Sequence, residues 1–500
     1  MPPVHEPSEA GGRRLNWRVL TGLWLFLAAG LAAGMLIRDN NEPNPHRPSP
    51  SEAAGKPNVV VIMTDDQTAA QMRALPRTRR LIGRPGVDFK DFYVTDPLCC
   101  PSRATFLTGE YAHNTGVISD EGANALPALR ESDTLGPWLQ DAGYRTAFVG
   151  KYLNGYGLDD PEQVPPGWTE WHALTDPTTQ SYYDYEVNDN GAIHHYGAEP
   201  DDYKTRVLGH LAVDSIHHAA RADRPLFLYV GFNAPHAPST PAPRDAGSYA
   251  GAAPPDTPAF DEADVSDKPS FIRNQPRLGA AALARIRSRN ERALESLTEV
   301  DRQVEKIVTA LRDKQELGNT YLLFTTDNGY LDGEHRIEFG RLLAYDPSSR
   351  VPLLIRGPGI PNHANSEALV GNIDLAPTIA EVAGAKPSAE VDGRSLIPYA
   401  TSPERSDDRG LLIESLVRDR ATAYGFPYEA IRSHRYLFVS YSTGQEELYD
   451  LRRDPYELEN VAADPAYAAT KRALASRLDH LRDCAGSDCD QPIGPLPSPG

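Results

Sequence analysis

The chain has 500 residues, with 50 Lys and Arg against 69 Asp and Glu, a formal net charge of −19. That length supports one large domain plus a smaller one, or two to three domains, with no limit on core size. The acidic balance excludes broad binding to nucleic acid, so an anionic ligand would need a locally positive pocket.

Residues 1–18 are polar, with Arg13, Arg14 and Arg18, and 19–37 carry no charge. A 19-residue uncharged run can span a bilayer, and its basic flank puts the bulk of the chain outside. Residues 1–38 are therefore expected to be a cleaved signal, with Ala32-Ala33-Gly34 as the cleavage site, or a retained membrane anchor through 19–37. Either reading makes the body extracytoplasmic. The Pro/Asn/Ser-rich stretch 39–56 reads as a linker.

The first buried strand is expected at 59–63, a β-branched run ending in Thr64-Asp65-Asp66-Gln67. At 99–109 the string CCPSRATFLTG reads as a helix start. Pro101 suits the first turn, Ser102 can cap it and Gly109 stops it. Cys99 then lies just ahead of a helix N-terminus and near Arg103, where a thiol is expected to be acidified. Further buried strands at 145–149 and 225–232 end in Gly150-Lys151-Tyr152 and Ala234-Pro235-His236-Ala237-Pro238. Between them, Asn190-Gly191 signals a hairpin.

The clearest helix is 291–313, with one apolar face. A strand at 320–325 ends in Thr326-Asp327-Asn328-Gly329, a strand at 351–355 follows, and 372–383 reads as a capped helix. Strands alternating with helices predict an α/β fold, a large mostly parallel sheet flanked by helices, over 57–385. From 386 the pattern changes. Strands at 436–441 and 447–449 and a helix at 465–482 predict a smaller C-terminal antiparallel-sheet subdomain over 386–482, with 483–500 a loose tail. Cys484 and Cys489 are close enough in sequence for a small disulfide in an oxidising compartment.

Asp65, Asp66, Asp327 and Asn328 are hard oxygen donors at the ends of two strands, where open α/β sheets bind ligands. Such a set suits Ca²⁺, with Mg²⁺ as the alternative, rather than Zn²⁺. An Asp-Asp pair taken alone is more often a turn or a helix cap than a metal site. The pairs His194-His195 and His217-His218 read as surface or packing residues.

The string Cys99-x-Pro101-Ser102-Arg103 followed by Leu107-Thr108-Gly109 resembles the signature of the formylglycine-dependent sulfatases, of the alkaline-phosphatase-like superfamily. The resemblance extends through GKYLNGYG, VPPGW, APHAPSTPAPR, RVPLLIRGPGI, NIDLAPTI and LYDLRRDPYELENVA, from about 57 to 463. It is similar above all to the branch of N-acetylglucosamine-6-sulfatases and heparan sulfate 6-O-endosulfatases. The resemblance implies that Cys99 is oxidised to formylglycine by a formylglycine-generating enzyme during maturation, with Cys100 a bystander. It also implies that Asp65, Asp66, Asp327, Asn328 and the modified Cys99 hold the metal, and that Arg103, Lys151 and His236 serve the sulfate.

Two positions depart from the family pattern. Leu153 stands where many sulfatases have a second His, and Arg341, in FGRLLAY, stands where a Lys is usual. Arg341 is expected to take over sulfate binding, since its planar fork can hold two oxygens. His236, the side-chain type that titrates near neutrality, is expected to protonate the leaving oxygen. The implied activity is hydrolysis of a sulfated small molecule or glycan. Two alternatives remain: a phosphodiesterase or phosphonate monoester hydrolase on the same scaffold, and a non-catalytic carbohydrate-binding protein.

Overall fold

The computed structural model describes residues 55–417 and 426–499. The run 19–37 lies outside the described residues, among which no helix is long and apolar enough to cross a membrane.

In chain order the strands are β1 (Asn58–Thr64), β2 (Val87–Phe89), β3 (Phe92–Tyr93), β4 (Arg145–Gly150), β5 (Glu170–Leu174), β6 (Tyr185–Asp189), β7 (Ala192–Tyr196) and β8 (Leu226–Gly231). There follow β9 (Thr320–Thr326), β10 (Leu353–Arg356), β11 (Ala364–Ser366), β12 (Val370–Gly371), β13 (Leu411–Ser415), β14 (Tyr428–Arg432), β15 (Tyr436–Tyr441) and β16 (Glu446–Asp450).

β1 is buried along its whole length. Val59, Val61 and Met63 turn to one face and Val60 and Ile62 to the other, as the two-residue period of a strand requires. Burial on both faces is what a parallel sheet demands. The main sheet has ten strands in the order β11-β2-β10-β9-β1-β8-β4-β5-β6-β7. Its centre is parallel, with β1 between β8 and β9, and β4 beside β8. β10 runs antiparallel to β9, and β6 and β7 form the hairpin expected at Asn190-Gly191. One face carries the helices Cys99–Thr108, Leu135–Asp141 and Leu375–Ala383; the other carries Lys204–Ala222 and Ala280–Asp313.

The helix expected at 291–313 starts eleven residues earlier, at Ala280. Ile286 is buried there, and so is Arg289, whose guanidinium reaches Asp332 at 2.7 and 2.9 Å. A charged residue on the buried face hides that extension from an apolar-periodicity reading.

A separate four-stranded antiparallel sheet runs β13-β14-β15-β16. On one side the helix Ala468–Leu481 packs Leu474 and Leu478 against Leu412, Ile431 and Phe438. On the other, Leu411, Ile413 and Val439 share a core with Tyr93, Leu331 and Leu343 of the main body. The tail is not loose as far as it is described. Cys484 and Cys489 are disulfide-bonded, Cys489 and Ile493 are buried, and Ile493 N–H donates to the Asp408 carbonyl at 2.8 Å. Proline-rich sequence reads as loose, but here a few apolar anchors fix it.

Candidate active site

β1 and β9 are parallel and in register, with Thr64 opposite Thr326. Their next residues, Asp65, Asp66, Asp327 and Asn328, therefore leave the sheet side by side, all buried. Asp66 adopts φ 61°, a left-handed conformation that Asp tolerates better than most residues. Asp66 N–H donates to Asp327 Oδ1 at 3.2 Å, and Asn328 Nδ2 donates to Asp66 Oδ1 at 2.6 Å. Asn328 Oδ1 is buried with no hydrogen-bond partner.

The helix Cys99–Thr108 faces these carboxylates. Leu98 is its N-cap, so Cys99 is the first helical residue rather than a residue ahead of the helix. Ser102 does not cap: its hydroxyl donates to the Asp327 carbonyl, and Asn372 Nδ2 donates to Ser102 Oγ at 3.1 Å. Gly109 closes the helix at φ 74°, as expected of a left-handed C-terminal residue.

Cys99 Sγ lies 3.8 Å from Asp65 Oδ1. As a thiol it is not acidified: burial pushes it well above the ordinary range, and the nearby cations Arg341 and Lys151 do not reverse this. Cys100 turns away from the carboxylates into the hydrophobic core, where Asn154 N–H points at its sulfur at 3.1 Å.

Three cations, Lys151, Arg103 and Arg341, and the imidazole of His236 surround the carboxylates. Lys151 follows β4, where Gly150 lets its backbone approach Gly231 so closely that a Cβ would meet the Gly231 oxygen at 2.0 Å. Lys151 Nζ sits 2.5 Å from Asp65 Oδ2. Burial alone would lower the Lys151 pKa, but Asp65 outweighs this and raises it above the usual lysine range. Arg103 is fully buried, with Nε on Asp327 Oδ2 at 2.9 Å and Nη1 on the Lys151 carbonyl at 2.8 Å. His236 Nδ1 lies 2.7 Å from the Ala237 carbonyl and so carries the hydrogen, leaving Nε2 3.7 Å from Asp66 Oδ2. Arg341 places Nη1 3.2 Å from Asp66 Oδ2, and its Nε is buried without a partner.

Burial raises every carboxyl pKa here, and neighbours decide the sign. Lys151, His236 and Arg103 bring Asp65 below its ordinary value, and Arg341 and His236 do the same for Asp66. Asp327 stays above its ordinary value, with burial and Asp65 the leading causes.

Ligand atoms of Asp65, Cys99 and Asp327, and those of Asp65, Asp66 and His236, converge within 4.8 Å of one another. Crowded carboxylates and an orphaned amide oxygen fit a hard divalent cation. The candidate site residues Asp65, Asp66, Cys99, Arg103, Lys151, His236, Asp327, Asn328 and Arg341 lie together here, and the two His pairs do not. His194 is exposed at the β6–β7 edge, and His218 Nδ1 pairs with Glu170 at 3.1 Å.

Sequence reasoning missed Asp120. It sits in an irregular stretch with no motif, yet its Oδ1 accepts the Cys100 N–H at 2.8 Å and its Oδ2 lies 3.5 Å from Arg341 Nη2.

A family model described as Sulfatase matches residues 57–385, and one described as N-sulphoglucosamine sulphohydrolase, C-terminal, matches 333–484. The N-acetylglucosamine-6-sulfatase of Homo sapiens is 32% identical over 490 residues, covering 88% of this chain and 87% of the relative. The putative extracellular sulfatase Sulf-1 homolog of Caenorhabditis elegans is 35% identical over 348 residues, 68% of this chain and 48% of that protein. Among solved structures, BT4656 in complex with its substrate D-glucosamine-2-N,6-O-disulfate superposes with TM-score 0.76 at 22% identity. That match covers 88% of this chain and 99% of that one. The phosphonate monoester hydrolase of Agrobacterium radiobacter gives 0.65 at 23% identity, over 85% and 95%.

Proposed function

The chain belongs to the sulfatase family and is a sulfuric ester hydrolase, and we propose that it works through a formylglycine made from Cys99 and a bound divalent cation. The observation that carries this reading is the meeting of Cys99 with the buried carboxylates of Asp65 and Asp327, beside Asp66 and the unpartnered Asn328 Oδ1. Asp65, Asp66, Asp327 and Asn328 would hold the cation, Ca²⁺ before Mg²⁺. Bound there, it supplies Lewis-acid polarisation of oxygen, and the hydrated aldehyde of formylglycine supplies a nucleophilic hydroxyl.

The chain's own residues do the rest. The N-terminal turn of the Cys99–Thr108 helix presents its first residue to the sulfuryl group with the positive end of the helix dipole behind it. Arg103 holds Asp327 and the Lys151 backbone in place beside the sulfate site. Lys151 fixes Asp65 and offsets its charge. Arg341, with Nε–H free, donates to the sulfate oxygens. His236 keeps Nδ1–H on the Ala237 carbonyl, so it is the doubly protonated ring that would give an Nε2 proton to the leaving oxygen.

The substrate class we infer is a sulfated amino sugar, small or terminal. The curated relative is named for N-acetylglucosamine-6-sulfate chemistry, and the superposed BT4656 holds a sulfated glucosamine. The disulfide of Cys484 and Cys489 supports an extracytoplasmic location.

The test is mass spectrometry of the peptide containing Cys99, paired with sulfate release from glucosamine-6-sulfate and from an aryl sulfate. Loss of the sulfur and gain of a hydrazide-reactive aldehyde at Cys99, together with turnover, is the expected result. An unmodified Cys99 in fully active protein overturns it. Faster turnover of an aryl phosphonate monoester than of any sulfate ester would move the chain to the phosphonate hydrolases.

A further inference from the structure

The helix that carries Cys99 starts without a side-chain cap of its own. Leu98 occupies the N-cap position and offers no polar group. An uncapped first turn leaves backbone N–H groups unsatisfied, which costs stability when the turn is buried. Here the cap comes from twenty residues downstream, because Asp120 Oδ1 accepts the Cys100 N–H at 2.8 Å.

The other oxygen of the same carboxylate faces Arg341 Nη2 at 3.5 Å, while Arg341 Nη1 faces Asp66 Oδ2 at 3.2 Å. The guanidinium is thus held on both sides. Asp66 alone would draw it toward the cluster of carboxylates. Asp120 provides the opposing pull, and the fork stays spread with Nε–H free. Around the same point, Leu98 and Leu342, the neighbours of Cys99 and Arg341, pack together with Val417. The wall of the pocket therefore joins the nucleophile helix and the Arg341 segment, and Asp120 is the polar tie between them.

We infer that Asp120 is a positioning residue for sulfate ester hydrolysis: one carboxylate fixes the first turn of the nucleophile helix and aims Arg341 at the sulfate. This rests on the reading that Arg341 binds sulfate. The geometry makes a specific demand. Asp120 acts on turnover through Arg341, so its charge should matter only while Arg341 is present.

The experiment is a double-mutant cycle of Asp120→Asn with Arg341→Met in the full-length, matured enzyme, read as kcat and KM on its best sulfate ester. Asn keeps an acceptor for the Cys100 N–H and removes the charge facing Arg341. Asp120→Asn is expected to lower kcat/KM about tenfold, mostly through KM, by loosening a charge-assisted contact. In the Arg341→Met background the same change should alter kcat/KM less than twofold. Asp120→Ser, a shorter uncharged acceptor, should repeat the result and replaces Asn if that variant folds poorly. Glu121→Gln, next in the chain and exposed, should leave kcat/KM unchanged.

An equal fold-loss from Asp120→Asn in both backgrounds overturns the proposal, as does no loss in either. If Arg341→Met alone is silent, the sulfate-binding reading of Arg341 fails as well. Absence of sulfate release by the parent enzyme would instead remove the reaction itself.

Discussion

Glu447 in the C-terminal sheet and Asp65, Asp66 and Asp327 at the end of the main sheet are all buried carboxylates. Glu447 stands among hydroxyls: Tyr345 and Tyr449 donate to one oxygen and Tyr441 to the other, at 2.6 Å for the last two. Lys268 closes the group, with Nζ 3.1 Å from the Tyr449 hydroxyl. In the main-sheet cluster, three carboxylates crowd together, paired with Lys151, Arg103 and Arg341, and an amide oxygen has no partner. One cluster is complete within the chain. The other leaves the Asn328 amide oxygen buried and unpaired beside three carboxylates, an arrangement that costs stability until a ligand completes it. That difference separates a structural node from a reacting one without any appeal to position in the fold.

The comparison can be broken hardest at Cys99. Cys99→Ala should lower turnover by about 10⁴-fold or more, whereas Cys100→Ala, whose sulfur only packs, should stay within about tenfold of the parent. The reverse order would exchange the roles of the two sulfurs.

Exhaustive chelation should abolish activity, and Ca²⁺ should restore it while raising the thermal midpoint, because the cation binds only the folded carboxylate cluster. Asn328→Ala should raise the Ca²⁺ concentration needed for half-recovery. Activity that survives chelation, with no metal by elemental analysis, would count against the cation.

Arg341→Met should lower kcat/KM by about 10- to 150-fold, the equivalent of a charge-assisted hydrogen bond of about 1.5–3 kcal/mol. Arg341→Lys should recover part of this. At the complete node the pattern should invert. Glu447→Gln should cost about 1–3 kcal/mol of stability, measured by denaturant unfolding, and change kcat/KM by less than about twofold. A large loss of activity there would erase the distinction.

The smallest effect is a pH dependence. His113, in the short helix Ala112–Thr115, is tied to the C-terminal subdomain, with Nδ1 on Glu414 at 3.0 Å and Nε2 on the Cys484 carbonyl at 3.0 Å. Burial opposes its charge, but Glu414 outweighs burial and raises its pKa to about 9. Its contribution is therefore whole below the unfolded value near 6.5 and fades as pH rises through about 9. The thermal midpoint should fall between pH 7.5 and 10, and His113→Gln should flatten that part of the profile.

Much of this was legible in the chain. The apolar runs of β1 and β9 end in Asp-Asp and Asp-Asn, so parallel strands had to set those groups side by side. What the sequence hid follows a rule of its own. Asp120 lies in no periodic element, and its partners, Cys100 and Arg341, are 20 and 221 residues away. Arg289 and Ser102 carry polar groups whose partners, Asp332 and the Asp327 carbonyl, exist only after folding. Local pattern reports burial and turn chemistry, and it is silent on a polar side chain's distant partner. The loose-tail expectation failed for the same reason, since Ile493 is fixed by Asp408 and not by its neighbours.

All ten residues of the Cys99–Thr108 helix are buried. Its first side chain is thus accessible to a second macromolecule only while the chain is unfolded. An enzyme that makes the proposed formylglycine from Cys99 would have to compete with folding itself, and the active fraction of a preparation would then be set by the ratio of two rates rather than by an equilibrium. On that reading a chain that folds first would be a stable dead end. Slowing folding during synthesis, or supplying more of the altering enzyme, should raise the active fraction, and treating the finished protein should not.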